Sequence, residues 1–223
     1  MRRFLLAVVM IGAFGGMGTV FCLAVLAQAE PENRGPVNGF PAAVSDTPLR
    51  VLQVMEYRGP FLEAPDAPEN VRCAAILVEN TGGLYVSAGA VILQRQDQQL
   101  VFELWDLPPG SRALILEKEA QVLRGSYGWK YCGWTREEYP EQHSWLRYQQ
   151  LPDGLAVTNI SDQLLPVVEL TYKRTGGGSY IGGISFRCTL QNLAPGETKI
   201  LPLPHYSQDR IGVVKEIVYY EAY

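Results

Sequence analysis

The sequence predicts an all-β protein: two tandem β-sandwich modules behind an N-terminal hydrophobic helix. Short runs rich in Val, Ile, Leu and Tyr recur from Leu49 onward, separated by Gly, Pro, Asn and Asp turns. That spacing belongs to a sandwich or barrel rather than to alternating strands and helices. Beyond the N-terminus no amphipathic helix stands out. The best candidate, around residues 136–148, is broken by Pro140 and reads as a linking turn. Finally, one set of turn motifs occurs twice. With 223 residues, 47% hydrophobic and 19% charged, the chain suffices for one domain or two small ones and can bury a core.

The elements follow in order. Arg2 and Arg3 precede an uncharged run over residues 4–26, and the first acids, Glu30 and Glu32, lie beyond it. This asymmetry keeps the N-terminus in the cytoplasm. The run of 23 residues is longer than the roughly 7–15 of a signal-peptide core and can cross about 30 Å as a helix. Ala27-Gln28-Ala29 nevertheless offers a small-x-small cleavage site, and Gly12, Gly15, Gly16 and Gly18 dilute the hydrophobicity. Residues 1–29 therefore read either as a membrane anchor or as a cleaved signal peptide. Both readings export the remainder, leaving it membrane-anchored or secreted. Phe21 before Cys22 argues against a lipoprotein. Residues 30–48, with Pro31, Pro36, Pro41 and Pro48 and no period of 2 or 3.6, read as a linker.

From Leu49 the pattern is β. Leu49, Val51, Gln53 and Met55 share one face while Arg50, Leu52, Val54 and Glu56 share the other, as in a well-buried strand. Similar runs cover 72–79, 84–94, 99–105, 112–117, 127–134, 154–159, 164–173, 180–190, 197–203 and 211–221. Ala75-Ile76-Leu77-Val78-Glu79-Asn80 aligns with Gly154-Leu155-Ala156-Val157-Thr158-Asn159 at an offset of 79. Each asparagine ends a strand, where its short side chain favours a turn. Leu107-Pro108-Pro109-Gly110-Ser111 aligns with Leu193-Ala194-Pro195-Gly196-Glu197 at an offset of 86, and Pro-Gly suits a type II turn. The seven added residues are assigned to a longer turn near Gly176-Gly177-Gly178. Two modules, 49–138 and 145–223, account for the repeat; a single sandwich with chance turn motifs is the alternative.

Residues 154–203 contain Val157, Asn159, Ser161 and Asp162, the strand Val167-Val168-Glu169-Leu170-Thr171-Tyr172, and Leu193-Ala194-Pro195-Gly196-Glu197-Thr198. In this pattern they resemble the FxLYD-type extracytoplasmic immunoglobulin-like module of bacterial envelope proteins. Val168 stands in the place of Phe and Lys173 in that of Asp. The resemblance implies an immunoglobulin-like sandwich and an envelope location. It implies no activity, because such modules share no active site.

Net charge is −4, and about −6 once Arg2 and Arg3 are set aside, so no basic field gathers nucleic acid. The nucleophile-elbow pattern is absent and Ser87 only loosely approaches it. Cysteines lack Cys-x-x-Cys spacing, and Glu137-Glu138 with His143, or His205 with Asp209, suit a solvated surface better than a metal. No cofactor is expected. The exported part has Cys73, Cys132 and Cys188. Cys73 and Cys132 are the best disulfide pair, closing a loop of about 60 residues for roughly 4 kcal/mol; all three as small buried hydrophobes is the alternative.

Aromatics concentrate between 127 and 148: Tyr127, Trp129, Tyr131, Trp134, Tyr139, Trp145 and Tyr148. Exposed rings stack on sugars and anchor peptides at low conformational cost. Tyr127, Trp129, Tyr131, Trp134 and Trp145 are therefore the candidate binding residues, unless they fill the seam between modules. Asn159-Ile160-Ser161 also fits a glycosylation acceptor. The functional expectation is a non-catalytic envelope protein presenting its modules to a protein partner or assembly. Carbohydrate or peptidoglycan binding through 127–148 is the alternative, and an unrecognised enzyme is the third reading.

Overall fold

The computed structural model describes residues 39–64, 70–95, 97–125, 129–139, 145–152, 154–202 and 210–220. The N-terminal hydrophobic segment, Tyr127, His143, His205 and Asp209 lie outside them. Among the described residues no helix is long and apolar enough to cross a membrane, and every regular element is a strand: β1 (Ala42–Ala43), β2 (Leu49–Gly59), β3 (Val71–Asn80), β4 (Tyr85–Gln94), β5 (Gln99–Leu107), β6 (Arg112–Leu116), β7 (Lys130–Glu138), β8 (Leu146–Leu151), β9 (Gly154–Asn159), β10 (Leu165–Gly176), β11 (Ser179–Leu193), β12 (Thr198–Pro202) and β13 (Arg210–Tyr219). The all-β prediction holds.

Period-2 patterning puts Leu100, Phe102 and Leu104 of β5 on one buried face. They meet Ile76 and Val78 of β3, Val91 and Leu93 of β4, and Ile115 of β6 in one core cluster. A second cluster joins Leu155 and Val157 of β9 to Val168, Leu170 and Tyr172 of β10 and Leu190 and Leu193 of β11. The strands form a seven-stranded sheet, β1-β2-β3-β6-β11-β10-β13, and two three-stranded sheets, β12-β9-β8 and β5-β4-β7. The order β2-β3-β6 with β5-β4-β7 in the first half thus recurs as β8-β9-β12 with β11-β10-β13 in the second.

The repeated motifs build the same joint in both halves. Asn80 and Asn159 are both fully buried. Asn80 Nδ2 donates to the carbonyls of Leu84 (2.8 Å) and Leu107 (3.0 Å); Asn159 Nδ2 donates to those of Gln163 (2.8 Å) and Leu193 (3.0 Å). In turn the Asn80 carbonyl accepts from Gly110 N–H and the Asn159 carbonyl from Gly196 N–H. Ser111 N–H returns to Pro108 and Glu197 N–H to Ala194, while Gly110 and Gly196 carry φ of +68° and +73°, the positive φ that a type II turn requires at its third residue. A fully buried Asn159 with both amide protons committed is no glycosylation acceptor.

Three features differ from the sequence reading. The seven extra residues do not lengthen a turn: Gly176 pairs with Ser179, leaving Gly177 and Gly178 at φ of +57° and +80° as a two-residue hairpin. They lengthen the strands instead, β10 to 12 residues and β11 to 15. The supposed linker enters the fold, since β1 pairs with β2 and Val44 is buried in the first core. Finally, β8 occupies the start of the second half, pairing along β9 from Leu146 to Leu151.

Candidate functional site

The two halves meet where β11 adds to β6 by a short parallel pairing, Tyr180 with Ala113 and Ile181 with Leu114. Gly182 and Gly183 make the approach possible: a Cβ at Gly183 would sit 1.9 Å from the Glu103 carbonyl oxygen. Around this contact lies a cluster of buried polar groups. Lys173 is 1% exposed, at a β-bulge between Tyr172 and Arg174, the kind of irregularity that redirects a side chain. Its Nζ donates to the carbonyls of Trp105 (2.8 Å), Gly183 (2.9 Å) and Ile184 (2.7 Å). One acceptor belongs to the first half and two to the second, so the ammonium clamps the halves together.

Glu63 extends the clamp. Its Oε1 accepts from Leu116 N–H of β6 (2.8 Å) and its Oε2 from Gly183 N–H of β11 (2.7 Å), continuing the link where the two-residue ladder ends. Burial pushes its carboxyl up to about 7, against the pull of those N–H groups and of Lys173. Burial likewise lowers Lys173 to about 8, opposed by Glu63 and Asp106. Asp106, with φ of +52°, accepts from Tyr85 OH (2.6 Å) and from Ser185 Oγ across the halves. Burial first, then the Asp106 hydrogen bond, holds the Tyr85 phenol far above its ordinary range. Lys215 of β13 pairs with Glu138 of β7 and lies 5.7 Å from the Tyr85 ring centroid.

A lysine of lowered pKa beside carboxylates is a feature of catalytic sites. Here, however, all three ammonium protons are engaged by carbonyls, leaving none for a substrate. An open depression of about 560 Å³ is lined by Arg58, Gly59, Asn70, Val71 and Arg72 and includes no residue of this cluster; its arginines bond Glu56. Ser87 Oγ donates to the Arg136 carbonyl. Among the described residues no group of His, Cys, Asp and Glu is placed to hold a metal.

The candidate Cys73–Cys132 pair is not bonded; Cys73, Cys132 and Cys188 are free thiols, though Cys132 is exposed rather than the buried hydrophobe of the other reading. Cys73 is buried in β3 of the large sheet and Cys132 exposed on β7 of another. Burial pushes the Cys73 thiol up to about 12 and Cys188 to about 11, which keeps both protonated and unreactive.

The candidate aromatics are not brought together as one platform. Tyr127 lies outside the described residues. Trp129 and Tyr131 pack on the first core, Tyr131 with Phe40 at 5.9 Å, and Trp145 packs on the second core against Tyr220 at 5.8 Å. Of the four that are described, Trp134 alone is exposed, at 51%, and its companion is Trp105 at 45%, outside the sequence cluster. Register explains the pair: Ala88 is opposite Trp105 and Arg136, and Ala90 opposite Glu103 and Trp134. The two indoles thus stand on the outer face of β5-β4-β7, two strands or about 10 Å apart across the sheet, on either side of a strip of alanines.

No protein-family model matches this chain, and the curated proteins and solved structures likewise contain no match.

Proposed function

We propose that the protein is a non-catalytic extracytoplasmic envelope protein that presents two tandem immunoglobulin-like β-sandwich modules, as one rigid piece, to a protein partner or assembly. The observation carrying this reading is the joint itself. A continuous sheet crosses both halves through β6 and β11, and two buried charged groups, Lys173 and Glu63, spend their hydrogen bonds holding it. Such a joint maintains a fixed spacing between two surfaces, which suits a scaffold or presenting element better than a catalyst. The repeated pairing order and the FxLYD-like pattern, which falls on β9 to β12, support the module assignment. Residues 4–26 supply the route of export.

The test is a pair of reporters fused to the C-terminus of the full chain in a bacterial host, one active only outside the cytoplasm and one only within it. The reading expects activity from the first alone. Activity confined to the second would reject the envelope assignment.

A further inference from the structure

We propose that the outer face of the β5-β4-β7 sheet, bearing Trp105 and Trp134, lies against the surface of the membrane in which residues 4–26 are anchored. The inference rests on the envelope reading, with the anchor uncleaved. Its first support is where the tether meets the fold. The described chain begins at Gly39, and Phe40 packs at once on Tyr131 of β7. A Cβ at Gly133 of the same strand would lie 2.8 Å from Val44. The tether therefore joins the molecule beside β7, an edge strand of this sheet. Residues 27–38 are the whole length between the apolar run and that point. Twelve residues span at most about 40 Å when fully extended, which is the farthest that the β7 edge can stand from the bilayer.

The second support is chemical. Along β7, Lys130, Cys132, Trp134 and Arg136 alternate onto the outer face, opposite Gln94, Ile92, Ala90 and Ala88 of β4. Ile92 and Val101 beside them are only half-buried. Indoles over a shallow apolar strip suit the headgroup boundary, where an amphipathic ring buries its body and keeps its N–H wet. The cations match as well: Lys130 and Arg136 are exposed, and the acid of these rows, Glu103, is met by Lys118 at 2.6 Å. In a chain of net charge −4 this face is thus locally positive, complementary to anionic headgroups.

The test uses the full chain in vesicles of phosphatidylcholine and phosphatidylglycerol whose acyl chains are brominated near the headgroup. Flotation reports anchoring; indole quenching reports docking. The expected result is flotation with loss of Trp105 and Trp134 emission, assigned by Trp105→Phe and Trp134→Phe, while Trp129 and Trp145 stay bright. Flotation without quenching of Trp105 and Trp134 overturns the docking and leaves the anchor standing. A chain that does not float overturns both. If a soluble oligosaccharide, and not the bilayer, shields the two indoles from acrylamide, the face is a glycan site and the proposal fails.

Discussion

The two halves share a joint and differ in one hairpin. In each, a buried asparagine ties the strand it ends to two carbonyls and to a Pro-Gly turn, with matching partners and distances within 0.1 Å for the amide bonds. The first half closes with β5, nine residues that stay in their own three-stranded sheet. Its counterpart β11 runs 15 residues and reaches across to β6. Local turn chemistry therefore reproduces the internal frame, while strand length decides whether a half stands alone or docks. The extra length brings Gly182, Gly183 and Lys173 to the junction.

The largest expected effect is at the element the halves do not share. Lys173→Met removes the donor for three carbonyls and leaves Glu63 without its cation, which should cost about 4 kcal/mol in urea unfolding of the full chain; a cost below about 1 kcal/mol would mean the clamp is idle. Next comes pH. Glu63 is raised in the folded state from 4.5 to about 7, so the folded chain binds a proton that the unfolded chain has released between those values. Its contribution is fully present below about pH 4.5 and is lost as pH rises through 7, up to about 3 kcal/mol. Glu63→Leu should flatten the stability profile over that window relative to the parent, and parallel profiles would refute the assignment.

The shared joint gives smaller, matched effects. Asn80→Ala and Asn159→Ala each orphan two carbonyls and should each cost about 2 kcal/mol; a large cost in one half alone would break the equivalence. Smallest is the turn. For Gly110→Val and Gly196→Val the added Cβ meets no atom within 4 Å, so the expected cost is backbone strain at positive φ, about 1 kcal/mol or a little more each. Unchanged thermal unfolding would remove the turn assignment.

The frame was legible because its signals are local. Alternating apolar residues marked nearly every long strand, and Asn and Pro-Gly marked the joints. β8 escaped because Arg147, Gln149 and Gln150 are exposed on an edge strand, which backbone pairing holds without apolar alternation. β1 escaped because two residues among prolines carry no period. The β6-β11 junction was not legible: nothing in the run ending at Lys173 says that its second face is covered by another half of the chain. Gly182-Gly183 was the available sign, since paired glycines in a strand mark close backbone approach. Trp105 was passed over because it lies outside the aromatic cluster in sequence and joins Trp134 only through the register of β4.

The central claim is that the halves form one cooperative unit through the β6-β11 joint. Trp129 reports the first core and Trp145 the second, so two single-tryptophan variants of the full chain, unfolded in urea, compare the halves directly. Coincident transitions are expected, as for a two-state unit. Separate midpoints, with one core melting while the other stays folded, would contradict the claim.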